Sequence, residues 1–597
     1  PAARYSWCSS GRQQGGELMT VEKLITDHID IWSSALQTRS TAGRGSNGKI
    51  DLYGIKKLRE LILELAVRGK LVPQDPSDEP ASELLKRIAT EKAELVKQGK
   101  IKKQKPLPEI SEDEKPFELP EGWELNRLGD LINVINGRAY KKHEMLQAGT
   151  PLLRVGNLFT SNEWYYSDLE LEPEKYIDNG DLIYSWSASF GPFIWNGGKV
   201  IYHYHIWKMD IFDTQSLDKH FMKLYLESVS ASIKASGNGI AMIHMTKERM
   251  EKLVIPLPPR AEQLRIVAKV NELMSLCDQL EQQSLTSLDA HQQLVETLLS
   301  TLTDCKNAEE LAENWARISQ NFDTLFTTEA SIDVLKQTIL QLAVMGKLVP
   351  QDPNDEPASE LLKRIDQEKA QLVKEGRIKK QKPLPPISDD EKPFELPEGW
   401  EWCRLETITE LITKGSSPKW QGVSYTDNPN DVLFITSENV GSFKILLDSE
   451  KYVEKKFNEI EPRSILTHND ILMNIVGASI GRTAIFNMNR NANINQAVCL
   501  IRVINNSMLL SYLLNFFNSD ICLSYMFDKQ VDNARANLSM GNIAKFVLPI
   551  PPLNEQKRIV EHIDNLMSIC DKLQSHLQSV QQIQLHLADA LTDAALN

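Results

Sequence analysis

Several clusters in this 597-residue chain carry side chains of the kinds that bind phosphate, metal or cofactor. Gly43-Arg-Gly-Ser-Asn-Gly48-Lys49 has the glycine and lysine spacing of a phosphate loop. Ile50 follows, however, where magnesium coordination needs Ser or Thr, and no apolar strand precedes it, so it reads as a flexible loop. Glu112-Asp-Glu-Lys115 and Asp389-Asp-Glu-Lys392 set carboxylates beside a lysine, as metal-dependent nucleases do. Both sit in proline-flanked acidic linkers and read as solvated charge runs. His203 and His205 alternate beside Tyr202 and Trp207 on an expected strand, with no third ligand in view. Packing or DNA contact accounts for them better than a metal. The Pro-Pro pairs at 258–259 and 551–552 follow Leu257 and Ile550, not the Asp or Asn of an amino-methyltransferase tetrapeptide, and no glycine-rich cofactor loop is present. They read as punctuation before helices. No catalytic residue, metal or bound cofactor is expected of this chain.

Composition agrees with a multidomain globular protein: 41% hydrophobic and 25% charged residues, over a length that exceeds one core. No apolar run reaches the ~18 residues of a membrane-spanning helix. The seven cysteines (Cys8, Cys277, Cys305, Cys403, Cys499, Cys522 and Cys570) form no C-x-x-C pair. That argues against zinc and for a reducing, cytoplasmic setting. Residues 1–18 lack periodicity and a signal-peptide core and read as a disordered or artefactual leader. Net charge is −14, but segment 124–255 carries 14 basic and 16 acidic side chains, and 401–548 carries 14 and 15. The acidity lies mainly outside these two segments, which permits but does not signal a polyanionic partner.

An internal repeat organises the elements around these segments. Residues 69–123 recur as 346–400 with 47 of 55 positions identical, from Gly69-Lys-Leu-Val-Pro-Gln-Asp-Pro76 to Glu118-Leu-Pro-Glu-Gly-Trp123. Ile255-Pro-Leu-Pro-Pro259, Glu262-Gln263, Arg265-Ile-Val267 and Cys277-Asp278 return as Leu548-Pro-Ile-Pro-Pro552, Glu555-Gln556, Arg558-Ile-Val560 and Cys570-Asp571. Between these near-identical frames lie inserts of 132 and 148 residues that barely resemble each other. A faint echo links Gly180-Asp-Leu-Ile…Ala188-Ser-Phe-Gly191 to Asn469-Asp-Ile-Leu…Ala478-Ser-Ile-Gly481. Near-identical frames around divergent inserts suggest one scaffold used twice, carrying two different specificities.

The frames are expected to be helical. Ile559, Ile563, Leu566, Cys570, Leu573, Leu577 and Val580 follow the 4-3 spacing of a coiled-coil seam, as do Ile266, Val270, Leu273, Cys277 and Leu280. The first helix extends through Leu302 and, at about 40 residues and ~1.5 Å per residue, makes a rigid spacer of about 60 Å. The inserts contain β-branched and aromatic runs, Val200-Ile-Tyr-His-Tyr-His-Ile-Trp207 and Val432-Leu-Phe-Ile-Thr436 among them, which predict an α+β domain in each.

Gly69-Lys-Leu-Val, Asp78-Glu-Pro-Ala-Ser-Glu-Leu-Leu, Glu118-Leu-Pro-Glu-Gly-Trp and the doubled Pro-x-Pro-Pro-x-x-Glu-Gln-x-x-Ile-Val frame resemble the specificity subunits of type I restriction–modification systems, over residues 19–597. The resemblance implies an α+β chain of pseudo-two-fold repeat. Two target-recognition domains, 124–255 and 401–548, are separated by long family-conserved helices in an antiparallel coiled coil. Residues 19–123 form an N-terminal helical region, 256–400 a central spacer and linker, and 549–597 a C-terminal helix. It also implies a non-catalytic reader of a split, asymmetric duplex. Two modification subunits would bind S-adenosylmethionine and methylate adenine, and restriction subunits would supply ATP-driven, Mg²⁺-dependent translocation and cleavage. The long region before the first recognition domain departs from the simplest family layout. A pseudo-two-fold chain can match the duplex dyad, with recognition domains about one turn (~34–36 Å) apart.

Reading base edges takes Arg, Lys, Asn, Gln, Ser or Thr on exposed loops. In the first insert the candidates are Arg138, Lys141, Lys142, Arg154, Asn157, Ser185 and Ser187, with Tyr140 to stack or wedge. In the second they are Lys414, Ser416, Ser417, Lys419, Asn439, Asn474, Ser479, Arg482 and Arg535, with Trp420 as the wedge. A protein-interaction scaffold with helical arms is the alternative, and salt-sensitive, sequence-selective duplex binding separates the two. Modularity is directly testable. Replacing 401–548 by a relative's insert is expected to change one half-site in a methylation map and leave the other intact; alteration of both halves contradicts it.

Overall fold

The computed structural model describes residues 21–39, 49–187, 191–236, 245–380, 382–504, 508–528 and 538–596. The leader 1–18, nearly all of the glycine-rich loop at 43–49, and Arg535 lie outside the described residues. The chain forms two compact units, the first from residues 1–38, 50–285 and 581–597, the second from 39–49 and 286–580.

Each unit holds one copy of the repeat. In the first, helices Tyr53–Val67 and Ala81–Lys97 bury Ile55, Leu58, Leu61, Ile62 and Leu65, and Ala81, Leu84 and Ile88, at helical spacing. Helices Glu329–Val344 and Ala358–Lys374 do the same in the second. Two long helices, Arg260–Thr303 and Leu553–Leu596, are 44 residues each, about 66 Å at ~1.5 Å per residue. Ile266, Val270, Leu273 and Cys277 are buried, as are Ile559, Ile563 and Cys570. Val580, the last member of the expected seam, is 38% exposed.

The contacts within each unit fix the helix directions. Arg59 pairs with Asp278 and Gln74 bonds Glu262, so the repeat helix runs against the first long helix. Tyr53 donates to Asp589 (2.7 Å) and Lys70 to the Leu596 carbonyl (2.6 Å), so it runs along the end of the second. The second unit repeats this with partners exchanged. Lys336 pairs with Asp571, Gln351 bonds Glu555, and Lys347 donates to the Thr303 carbonyl (2.6 Å). In both units the two long helices are therefore antiparallel.

The repeated Glu-Gln is a buried clamp. Glu262, 1% exposed, accepts from Trp123 Nε1 (3.0 Å) and Gln74 Nε2 (3.1 Å), and burial raises its carboxyl pKa. Glu555 is held identically by Trp400 (3.0 Å) and Gln351 (3.1 Å). Gln263 donates to the carbonyls of Ser216 and Pro258 and accepts from the Asp218 amide, tying insert to helix. Gln556 donates to Pro551 and accepts from the Leu509 amide.

The acidic linkers differ in part from the expected solvated charge runs. Glu112 and Asp113 are exposed, but Glu114 forms a two-pronged pair with the buried Arg127 (2.8 and 2.8 Å), copied by Glu391 with Arg404 (2.8 and 2.9 Å). The guanidinium holds each carboxyl down at about 2, so the pair's contribution is complete above the ordinary carboxylate range and lost as pH falls from about 4.5 towards 2.

Each insert starts and ends on a strand pair, Glu124–Arg127 with Val254–Leu257 and Glu401–Arg404 with Val547–Ile550. Each then builds two four-stranded sheets. One is antiparallel: Ile132–Asn136, Ile206–Ile211, Leu182–Ser185, Gly191–Ile194 in the first insert, and Thr409–Lys414, Val498–Val503, Asp470–Asn474, Thr483–Phe486 in the second. The other contains a parallel pair, Thr150–Leu153 with Val200–Tyr202 and Val432–Ile435 with Ala492–Ile494. The edges differ. Tyr176–Ile177 pairs with Val200–Tyr202 in the first insert, whereas Tyr425–Thr426 adds outside Tyr452–Val453 in the second. The faint sequence echo is the shared hairpin of the antiparallel sheet.

Trp400→Phe removes one donor and leaves the buried Glu555 carboxylate half-paired. It is expected to destabilise the chain by about 1.5–3 kcal/mol, read as a lowered unfolding midpoint; an unchanged midpoint contradicts the clamp.

Candidate nucleic-acid interface

In the first insert, Ile132–Asn136 ends beside Trp207, Leu182–Ser185 beside Ile206, and Thr150–Leu153 beside Tyr202. The segments after these strands, with the turn at 203–205, leave the sheets at one end. In the second insert, Thr409–Lys414 ends beside Cys499, Asp470–Asn474 beside Val498, and Val432–Ile435 beside Ile494. Their segments converge with the turn at 495–497. Every described residue selected for base reading falls at this end.

Close approach of these loops demands glycine. A Cβ on Gly137 meets the His203 carbonyl oxygen, and one on Gly415 meets that of Ile494, well inside van der Waals contact. These glycines let the first loop cross the turn in each insert.

Within the first group, Lys141, Lys142 and Arg154 are exposed and offer their charge to an anion. Arg138 is bound to Glu144 at 2.7 and 3.1 Å, with its guanidinium 5.0 Å from the Tyr140 ring centroid. Arg154 lies 5.2 Å from the Tyr165 ring centroid. Asn157 is half-buried, accepts from the Arg154 amide and donates to Ser161 and Glu163 carbonyls, so it shapes the loop. Tyr140 departs from the expected stacking role. It is 8% exposed, its hydroxyl is pushed up to about 12 by burial, and it packs with Leu152 and Ile201. Ser185 is fully buried at its strand end and presents nothing to a duplex, whereas Ser187 is half-buried.

In the second group, Lys414, Lys419 and Arg482 are exposed, and Trp420, at 74%, projects its indole into solvent. Ser416 and Ser417 are half-buried, and the Ser416 hydroxyl accepts from Gln421 at 2.9 Å. Ser479 is half-buried, and its carbonyl accepts from the Arg482 amide in the hairpin turn. Asn439 and Asn474 are corrected to internal roles. Asn439, 3% exposed, accepts from the Thr436 amide and donates to Leu446 and Ser449 carbonyls. Asn474, wholly buried, donates to Ser437 and Val440 carbonyls, stitching two loops together. Short polar side chains satisfy local backbone before they reach a ligand.

His203 and His205 are in a tight turn, not along one strand as expected, with ring centroids 4.8 Å apart. Burial drives the His203 imidazole down to about 4, and the nearby His205 and Arg154 act in the same direction. It is neutral at pH 7. Trp186 donates to the Tyr204 carbonyl (2.9 Å) and stacks on Trp207, 5.7 Å between centroids, which stacks on Tyr184 (6.0 Å). This aromatic column escaped the sequence reading because its members come from two strands that only the sheet register brings together. Among the described residues, no group of three or more His, Cys, Asp or Glu is arranged to hold a metal ion.

A tandem module carrying one polar-loop end per copy is the architecture of a two-part sequence reader. The family model for the type I restriction modification DNA specificity domain matches residues 120–290 and 397–582. The specificity subunit of the type I restriction enzyme EcoEI of Escherichia coli is 50% identical, covering 97% of this chain and all of that one. That of EcoAI, also from Escherichia coli, is 49% identical with the same coverage. The crystal structure of the HsdS subunit from Thermoanaerobacter tengcongensis is 17% identical with TM-score 0.37, covering 81% of this chain and 98% of that one. The chain belongs to the type I restriction–modification specificity-subunit family. Its part in such a system is to recognise DNA sequence, and it is not itself catalytic. No helix among the described residues is long and apolar enough to cross a membrane.

Arg482 extends from a turn whose other members are Gly477, Ala478, Ser479, Ile480 and Gly481, with little bulk to hold a duplex away. Arg482→Ala is expected to cost about 1–3 kcal/mol at the half-site read by the second insert, as loss of an Arg–guanine pair. Binding to duplexes varied in each half-site checks it. Unchanged discrimination, or loss through unfolding, contradicts the assignment.

Proposed function

We propose that the chain directs a type I restriction–modification complex to a bipartite, asymmetric duplex site, each insert reading one half. Arg138, Lys141, Lys142, Arg154, Lys414, Lys419, Trp420 and Arg482 supply phosphate and base contacts. The observation that carries this is the reuse of one antiparallel sheet order and one parallel strand pair, with the loops at the same end bearing different side chains. A common scaffold fixes how each module meets a duplex, and the loops set which bases it prefers.

Family membership supports the remaining parts of the reading. The helical frames dock two modification subunits, which use S-adenosylmethionine to methylate adenine. Restriction subunits use ATP and Mg²⁺ to translocate and cleave, and the assembly works in the bacterial cytoplasm. The two similar Escherichia coli proteins, each a specificity subunit of a type I restriction enzyme, support this reading.

The purified chain alone is expected to show no methyltransferase, ATPase or nuclease activity, and sequence-specific adenine methylation is expected to appear when modification subunits are added. Radiolabelled methyl transfer to duplex DNA measures it. Transfer by the chain without partners contradicts the proposal.

A further inference from the structure

The register of the two inserts identifies a pair of equivalent residues that their sequences do not reveal. The His203 amide donates to the Leu153 carbonyl (3.0 Å), the Ile206 amide to the His203 carbonyl (2.9 Å), and the Trp186 amide to the His205 carbonyl (3.1 Å). In the second insert, the Asn495 amide donates to Ile435 (3.0 Å), Val498 to Asn495 (3.2 Å), and Ile475 to Ala497 (2.9 Å). Three bonds of one pattern superpose the turns residue by residue. His203 corresponds to Asn495, Tyr204 to Gln496, and His205 to Ala497.

The apex of this turn is the second residue, and there the inserts part chemically. Tyr204 is 40% exposed on top of the aromatic column, its backbone pinned by Trp186 Nε1. Gln496 is half-exposed, and among the described residues its amide has no hydrogen-bond partner. Its neighbour Asn495 instead turns its side-chain oxygen inward to the Ala497 amide (3.0 Å). The backbone at this point is held by sheet on both sides, so the apex side chain is presented from a rigid support.

We propose that Tyr204 and Gln496 are specificity-determining residues, one for each half-site, occupying the same position in the two reading surfaces. This rests on the DNA-reading role of the loop end and adds which residues discriminate there. The Gln496 amide matches the N7 acceptor and N6 donor of adenine in the major groove. Tyr204 offers a hydroxyl to a base edge and a ring face to a thymine methyl. Exposed cations flank both, Arg154 beside the first turn and Lys414 beside the second, placed to hold phosphate while the apex reads.

The test selects duplexes from a randomised pool with the full-length chain in its assembled complex, comparing the parent with Gln496→Ala, Gln496→Asn and Tyr204→Phe. The parent is expected to prefer A·T at one position that Gln496→Ala relaxes on the order of 10- to 100-fold, with the other half-site unchanged. Tyr204→Phe, which keeps the ring and removes the hydroxyl, is expected to relax one position of the opposite half-site only. Gln496→Asn keeps the amide but shortens its reach and is expected to relax the same position as Gln496→Ala, which holds the test open if that variant does not fold. Folded, DNA-binding variants whose preferences match the parent at every position overturn the proposal. A parent complex with no sequence preference overturns instead the reading on which it rests.

Discussion

Two buried carboxylates hold this architecture together. An ionised group removed from water costs several kcal/mol unless its lone pairs are met, and Glu262 and Glu555 each sit at 1% exposure. Each is met by an indole from the end of the linker and an amide from the repeat, so the first turn of a long helix, the linker and the repeat loop are fixed at one point. The adjacent glutamines bind the insert to that same turn through main-chain groups. The orientation of each insert on its helix therefore depends on a few satisfied hydrogen bonds, and a reader of sequence needs that orientation to be constant.

From this joint outward, constraint decreases. The strand pairs that open each insert carry Arg127 and Arg404, whose guanidinium groups bind linker carbonyls and a carboxylate at once. The sheets beyond keep their order but tolerate different edge strands. The loops at the far end share backbone contacts, such as the bonds of the 203–205 and 495–497 turns, and the crossing glycines Gly137 and Gly415, while the side chains of the turns themselves differ. Rigidity near the helices and variability at the tip is what a family of readers with different targets requires.

The repeat, the helical frames and the α+β character of the inserts were legible because long identical segments and 4-3 spacing survive in sequence. The common order of the antiparallel sheets was not, since it is written in hydrogen-bond register between strands far apart in the chain. Arg482, Lys419 and Trp420 are exposed, as their glycine- and serine-rich surroundings suggested. Asn439, Asn474, Ser185 and Tyr140 look like ligand-seeking residues in sequence, but burial gives the two asparagines backbone partners and places Tyr140 and Ser185 in the interior. His203 and His205 were read on a strand because β-branched and aromatic residues surround them; a one-residue apex between two strands leaves no composition signal.

The central claim is that one chain specifies a two-part DNA site for partner-directed adenine modification. Genome-wide mapping of methyl-adenine in the host, with and without this chain, tests it most directly. The account predicts modified adenines confined to one asymmetric motif of two short fixed segments around a fixed gap, all lost when the chain is removed. A methylation pattern unchanged by its removal contradicts the account.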